Sequence, residues 1–148
     1  MSDKPSFVYV TYIHASPEQV WAALTDPEIT AQYWVHRNES DFQVGSPWRH
    51  VRVGTGQVDG GGQVLEADPP RRLTCSWADL DNPAETTSIF TFDIEQDHEV
   101  VKLTVTHVDL ADEEELRDVA GGWAKVFASL KSLLETGAPL SAAVMLPG

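Results

Sequence analysis

The sequence has too few thiols for a disulfide framework, because Cys75 is its only cysteine in 148 residues. Cys75 has no partner within the chain for a disulfide, and a lone thiol offers no thiolate pair for zinc. It lies in the apolar segment 73–77, which is typical of a strand, so we expect a buried, reduced thiol. The five histidines are scattered without paired spacing. We therefore expect no metal and no other cofactor.

Long hydrophobic runs and basic charge are also scarce. No apolar run approaches the ~20 residues that span a bilayer, and residues 1–5 lack the basic and apolar regions of a signal peptide. The chain carries 10 Lys and Arg against 23 Asp and Glu, a net charge of −13. Phosphate backbones and anionic membranes attract clustered Lys and Arg. Nucleic acid and membrane insertion are thus not expected, and a cytoplasmic location is.

The length and the first third of the chain indicate one α+β domain over residues 1–148. Residues 7–13 are rich in aromatic and β-branched residues and predict a strand. Ser16 is a natural N-cap for a helix that has Pro17 in its first turn and Gln19 at the capping-box position. Asp26 restarts this pattern and predicts a second short helix through about Tyr33.

The middle of the chain predicts strands at residues 48–53, 64–67, 72–77, 86–94 and 100–108, the last two as a hairpin. The glycine-rich segments 54–56 and 59–62 indicate a flexible stretch, with a hairpin tip and an irregular strand. Residues 79–85 predict an acidic loop. In the hairpin, alternation places Phe90 and Phe92 on the face toward the core, with Thr91 opposite.

The C-terminal segment predicts a long amphipathic helix. Asp112 begins it, and Gly137 ends it. The pair Gly121 and Gly122 is expected to weaken or kink the helix near its start. Apolar residues recur at three- and four-residue intervals, at Leu116, Val119, Ala120, Trp123, Phe127, Leu130 and Leu134. A large sheet and one such helix bury both apolar surfaces if the sheet curls around the helix. The predicted fold is therefore a helix-grip fold with six to seven antiparallel strands.

Several blocks of the sequence resemble the START-like (SRPBCC) superfamily and, more closely, its branch named for activator of heat-shock-protein-90 ATPase homologues. They are residues 15–28 (ASPEQVWAALTDPE), 32–34 (QYW), 44–48 (VGSPW), 62–73 (GQVLEADPPRRL) and 122–135 (GWAKVFASLKSLLE). The resemblance covers almost the whole chain and implies the helix-grip fold. It also implies a cavity between sheet and long helix, which in this superfamily holds lipids, sterols, polyketides or aromatic metabolites.

The candidate ligand-binding residues are the large aromatic side chains that this fold turns inward, together with a few polar neighbours. The aromatic residues either line an apolar cavity or fill the core; they are Trp34, Trp48, Trp77, Phe90, Phe92, Trp123 and Phe127. The polar residues either orient a ligand or pair among themselves; they are His50, Arg52, Glu66, Ser88 and His107. No G-x-S-x-G elbow or Cys–His pair indicates nucleophilic catalysis, and no catalytic residue is assigned.

Three functions fit these observations. The first is a non-enzymatic module that binds a small hydrophobic ligand, whether lipid-like, aromatic or polyketide-like. The second is an enzyme of the cyclase or hydratase type, in which His107, Glu66 or Arg52 handles protons and at least one pocket group has a displaced pKa. The third is an interaction module that regulates a chaperone ATPase. A chaperone partner is suggested by the name of the family alone, and no residue pattern supports it.

Overall fold

The structure is a computed structural model that describes residues 4–78 and 87–146. The predicted acidic loop, 79–85, lies outside the described residues. Within them the chain forms seven strands and four helices. These are β1 Phe7–Ile13, α1 Pro17–Thr25, α2 Pro27–Tyr33, β2 His36–Glu39, β3 Pro47–Arg52, β4 Val58–Asp68, β5 Arg72–Trp77, β6 Ser88–Asp97, β7 Val100–Val108, α3 Glu113–Thr136 and α4 Ala142–Met145.

The seven described strands form one curved antiparallel sheet in the order β1-β7-β6-β5-β4-β3-β2. The long helix α3 packs against the concave face, and α1 and α2 follow β1. This confirms the predicted helix-grip fold. Two elements were not predicted. Strand β2 is made of four polar residues that give no hydrophobic alternation, and α4 follows the glycine–proline stop after α3.

The faces of the β6–β7 hairpin are as the alternation predicts. Phe90 and Phe92 are buried on β6, and Leu103 and Val105 are fully buried on β7. Cys75 on β5 is opposite Phe90 in the sheet, and burial raises the pKa of its thiol to about 12. The predicted burial of the Cys75 thiol is confirmed.

The two short helices start where their caps predict. The Ser16 side chain accepts a hydrogen bond from the Gln19 backbone at 3.2 Å, and the Gln19 side chain accepts one from the Ser16 backbone at 2.8 Å. Asp26 caps α2 by accepting from the backbone of Glu28. The fully buried Tyr33 donates to the carbonyl of Ala23 at 2.7 Å, which fixes α2 against α1.

Helix α3 begins and ends as predicted, with Asp112 accepting from the Glu115 backbone and Gly137 in the left-handed conformation at φ 84°. Helix α3 continues through Gly121 and Gly122, and the weakening or kink expected from these glycines stays a prediction. Its fully buried side chains are confined to residues 123–130, so the helix packs tightly on the sheet only from its middle onward. No helix in the described part of the chain is both long and apolar enough to cross a membrane.

Residues 54–56 lie in the predicted hairpin tip between β3 and β4, and residues 59–62 belong to the predicted irregular strand, since β4 has register shifts against both β3 and β5. Gly60, Gly61 and Gly62 lie inside β4, and a β-carbon on any of them would come closer than 3.0 Å to a neighbouring strand. The atoms in the way are the ring of Trp77 for Gly60, and for Gly62 the backbone oxygen of Ser76. The glycines therefore permit close approach of β3, β4 and β5.

Candidate functional site

A cavity of about 270 Å³ lies between the sheet and the first half of α3. It exists because α3 buries its side chains fully only from Trp123 onward, which leaves space under the preceding turns. Asp118, on an exposed turn of α3, lies at its mouth. The lining residues are Trp34, Trp48, His50, Trp77, Phe90, His107, Asp118, Val119, Gly122, Trp123 and Val126.

Five of the seven predicted aromatic residues line this cavity. The Trp123 ring lies 5.5 Å from the ring of Trp34 and 5.6 Å from that of Phe90. On the opposite side the Trp48 ring lies 5.5 Å from that of Trp77 and 5.7 Å from that of Phe90. The result is a nearly continuous aromatic wall from α2, β3, β5, β6 and α3.

The other two predicted aromatic residues belong to the core behind that wall. Phe92 and Phe127 are almost completely buried. Their rings lie 5.5 Å and 6.0 Å from that of Trp123, and they do not line the cavity. Both alternatives considered from the sequence, core and cavity, therefore apply to different members of the aromatic set.

His107 is held neutral by two hydrogen bonds. The indole N–H of Trp123 donates to Nδ1 at 3.0 Å, so Nδ1 carries no proton. The proton is on Nε2, which donates to Oγ of Ser88 at 2.7 Å. Burial lowers the pKa of His107 to about 4. The indole of Trp123 thus fixes the tautomer of His107, and Ser88 accepts its remaining N–H.

His50 is a second neutral histidine in the cavity wall. Its Nδ1 lies 2.6 Å from Oδ1 of Asn38, an acceptor, so the ring carries its proton on Nδ1. Burial and, to a smaller extent, the neighbouring His36 lower the pKa of His50 to about 3. The two imidazole rings stack in parallel, with their centroids 3.8 Å apart.

His36 carries a proton on both ring nitrogens. Nδ1 lies 3.0 Å from the carbonyl oxygen of Trp34, and Nε2 lies 2.7 Å from Oδ2 of Asp59. Both partners are acceptors, so both nitrogens donate. Asp59 also accepts from Nε of Arg52 at 2.9 Å. Burial alone would raise the pKa of Asp59, but the hydrogen bonds from His36 and Arg52 prevail and lower it.

Two predicted polar residues do not reach the cavity. Arg52 follows a register shift between His50 and Val51 and turns to Asp59. A second register shift, between Val64 and Glu66, breaks the alternation of β4 and exposes Glu66. Its carboxylate pairs with Arg72 at 2.7 Å. Neither side chain lines the cavity, and each forms an ion pair, which is the alternative to ligand binding that was considered from the sequence.

Several residues of the site were missed from the sequence. His36 and Asn38 lie on the unpredicted β2, and Asp59 pairs with His36 across 23 residues of sequence. Val119 was part of the apolar stripe predicted for the long helix, whereas nothing in the sequence marked Asp118 or Gly122 as a residue of the cavity. Among the residues described, no group of three His, Cys, Asp or Glu side chains is arranged to hold a metal ion.

Comparison by sequence identifies one family. The model of the family described as "Activator of Hsp90 ATPase homolog 1-like protein" matches residues 14–135, which is most of the chain. A search among curated proteins found no match.

Solved structures share the fold at low sequence identity. CalU16 from Micromonospora echinospora is 23% identical, with a TM-score of 0.74 over 90% of this chain and 78% of that one. DynU16, from the dynemicin biosynthetic locus, is 24% identical, with a TM-score of 0.78 over 90% of this chain and 48% of that one. An HSP90 activator from Plasmodium falciparum is 20% identical, with a TM-score of 0.69 over 86% and 92%. At these identities the likeness establishes the fold alone.

Proposed function

The chain belongs to the family of Activator of Hsp90 ATPase homolog 1-like proteins, and on that premise we propose that it is a non-enzymatic module that binds a small hydrophobic ligand. The ligand would lie between the sheet and α3. The observation that carries the proposal is the aromatic-walled cavity, in which both histidines are neutral and Asp118, the one carboxylate among the described lining residues, lies at the mouth. Apolar walls with a few placed polar groups are typical of small-molecule sites.

The size of the cavity narrows the ligand class. Its volume of about 270 Å³ is near the lower end of the roughly 300–1,000 Å³ of ligand pockets. A fused-ring aromatic molecule suits this volume and the flat indole walls better than a long acyl chain or a sterol does. Aromatic pairs contribute roughly 0.5–1.5 kcal/mol beyond the area that they bury.

The proposal is tested by a thermal-shift screen of aromatic, polyketide-like, fatty-acid and sterol ligands, with tryptophan fluorescence measured in parallel. A ligand at a hundred times its dissociation constant adds about 2.7 kcal/mol of stability, which raises Tm by several degrees. Quenching is expected at the same concentrations, because the cavity is lined by Trp34, Trp48, Trp77 and Trp123.

A matched pair of variants separates cavity binding from surface binding. Gly122 lines the cavity, whereas Gly121 does not, and a β-carbon at either position meets no atom within 4 Å. Both Gly122→Leu and Gly121→Leu should stabilise the helix by up to about 1 kcal/mol. Only Gly122→Leu should weaken ligand binding, because its side chain fills the mouth. Equal affinity in the two variants would refute the cavity as the binding site, and no thermal shift across the panel would refute the proposed function.

An enzyme of the cyclase or hydratase type requires a pocket group with a displaced pKa, and both histidines of the cavity have one. The pKa values of His50 and His107 are displaced downward, to about 3 and about 4, which makes both rings weak bases at neutral pH. Turnover of a bound aromatic ligand that is lost in His107→Ala would support an enzyme.

A role in regulating a chaperone ATPase is the other alternative. One observation favours it: the outward face of the edge strand β1 exposes Val8, Val10 and Tyr12 by 57%, 41% and 46%. Stimulation of Hsp90 ATPase activity that Val10→Lys abolishes would support that role. If the protein does not stimulate Hsp90 ATPase activity, this role is refuted.

A further inference from the structure

We propose that the ligand carries a hydrogen-bond donor on its aromatic ring system, an O–H or N–H group, and that Nε2 of His50 is the acceptor that selects it. This inference rests on the proposed function, since it assumes that the cavity holds a ligand. It adds the chemical class of that ligand and names a specificity-determining residue. It depends on three features of the site. These are a lone pair on His50 that no described residue uses, a charged neighbour, His36, that disfavours protonation of that lone pair, and a cavity wall without a free cation that could pair with an anionic ligand.

The first feature is the free nitrogen of His50. A neutral imidazole has one N–H and one lone pair, and the N–H on Nδ1 is given to Asn38. The lone pair is therefore on Nε2. No hydrogen bond to Nε2 comes from any residue in the described ranges, and no fully buried side-chain nitrogen or oxygen there is left without a partner. Nε2 of His50, in the cavity wall, is thus accessible to a ligand.

The second feature is the charge behind His50. His36 donates from both nitrogens and is positively charged, and its ring stacks on that of His50 with an interplanar angle of 7°. Arg52 adds a positive charge and Asp59 a negative one. A second imidazolium stacked at this distance would be repelled by the first. His50 therefore keeps its lone pair as the pH falls, and the site stays an acceptor.

The third feature is the polarity of the remaining cavity wall. Both nitrogens of His107 are occupied, and the indole N–H of Trp48 is donated to the carbonyl of Ser76 at 2.8 Å. No Lys or Arg of the described residues lines the cavity, and the carboxylate of Asp118 lies at its mouth. The charge of His36 is paired with Asp59. A carboxylate or phosphate ligand would meet negative charge without a paired cation. A phenol, an indole or an aromatic amine would meet an acceptor.

Three probes of similar size test the proposal: 2-naphthol, 2-methylnaphthalene and 2-naphthoate, titrated against the wild-type protein, His50→Phe and His14→Phe. His50→Phe keeps a flat ring but removes the acceptor, and His14→Phe makes the same change at an exposed position as the control. The hydrogen bond should change the ratio of the affinities for 2-naphthol and 2-methylnaphthalene by roughly three- to tenfold between wild type and His50→Phe. The ratio should be unchanged in His14→Phe, and 2-naphthoate should bind most weakly to the wild type.

A direct readout covers the case in which His50→Phe fails to fold. In ¹⁵N-labelled wild-type protein, the Nε2 resonance of His50 should shift on addition of 2-naphthol and not on addition of 2-methylnaphthalene. The proposal is overturned if both probes shift the resonance alike, if His50→Phe leaves the affinity ratio unchanged, or if 2-naphthoate binds as tightly as 2-naphthol. If none of the three probes binds, this inference is overturned, and the proposed function is decided by the wider ligand panel. Binding of 2-methylnaphthalene without preference for 2-naphthol leaves the proposed function intact and removes this inference alone.

Discussion

The side chain of Trp123 both packs in the core and lines the cavity. Truncating this side chain should therefore destabilise the protein strongly. Its side chain is only 7% exposed, and its ring packs against those of Phe92 and Phe127. Replacing a buried Trp by Ala typically costs about 3–5 kcal/mol. Trp123→Ala also leaves Nδ1 of His107 without its donor, and an unsatisfied buried group costs about 1–3 kcal/mol. Water that enters the enlarged cavity can satisfy that nitrogen, so we expect a total of about 4 kcal/mol.

Urea unfolding, followed by circular dichroism, measures this loss. A loss of about 4 kcal/mol should lower Tm by roughly 10 °C for a chain of this size, and it is a large part of the 5–15 kcal/mol that stabilises typical domains. Trp123→Phe keeps much of the ring and should lose less than Trp123→Ala. As a control, Tyr12→Ala removes a ring that is 46% exposed and should cost below about 1 kcal/mol. A comparable value for Trp123→Ala would contradict the reasoning, because the ring would then be loosely held at an open cavity.

Two further predictions concern pH and the glycines of β4. His107 and His50 are neutral in the folded protein, with pKa values lowered from 6.5 to about 4 and about 3. Below pH 6.5 the unfolded chain therefore binds more protons than the folded protein does. The stability that the two neutral histidines contribute is fully present above pH 6.5 and is lost as the pH falls toward 4. The loss is at most about 1.4 kcal/mol per pH unit for each histidine. Urea unfolding of the wild type and of His107→Gln across this range checks the sign, and identical slopes would contradict it. Gly62→Ala should destabilise by more than about 1 kcal/mol because its β-carbon meets the backbone of Ser76, whereas Gly121→Ala in open space should stabilise by up to about 1 kcal/mol. Thermal unfolding of the pair measures both, and a stabilised Gly62→Ala would show that β4 and β5 are less closely packed than described.

The parts of the fold that were predicted correctly depend on local sequence. Ser16 with Gln19 and Asp112 with Glu115 begin helices through contacts within three residues. The alternation on β6 and β7 fixes their buried faces because side chains on a strand alternate in direction. These signals need no knowledge of the neighbouring elements.

The features that were not predicted lie where a neighbouring element decides the conformation. The three glycines of β4 indicated an irregular strand, but the reason for glycine there is the close approach of Trp77 and of the backbone of β3 and β5. Glu66 was a candidate for the site, but a register shift that is visible only against β5 exposes it. Strand β2 is polar because its inward side chains, His36 and Asn38, bind Asp59 and His50 rather than filling an apolar core.

Apart from β2 and α4, the sequence by itself determined the element types, the helix caps and the buried face of the β6–β7 hairpin, because these follow from periodicity and from contacts between near neighbours in the chain. Only the tertiary structure decided which aromatic rings line a cavity and which fill the core, because that depends on where α3 leaves the sheet. It also decided the protonation of the three histidines. Their partners, Asp59, Asn38 and Ser88, lie 23, 12 and 19 residues away in sequence and meet them only in the folded protein.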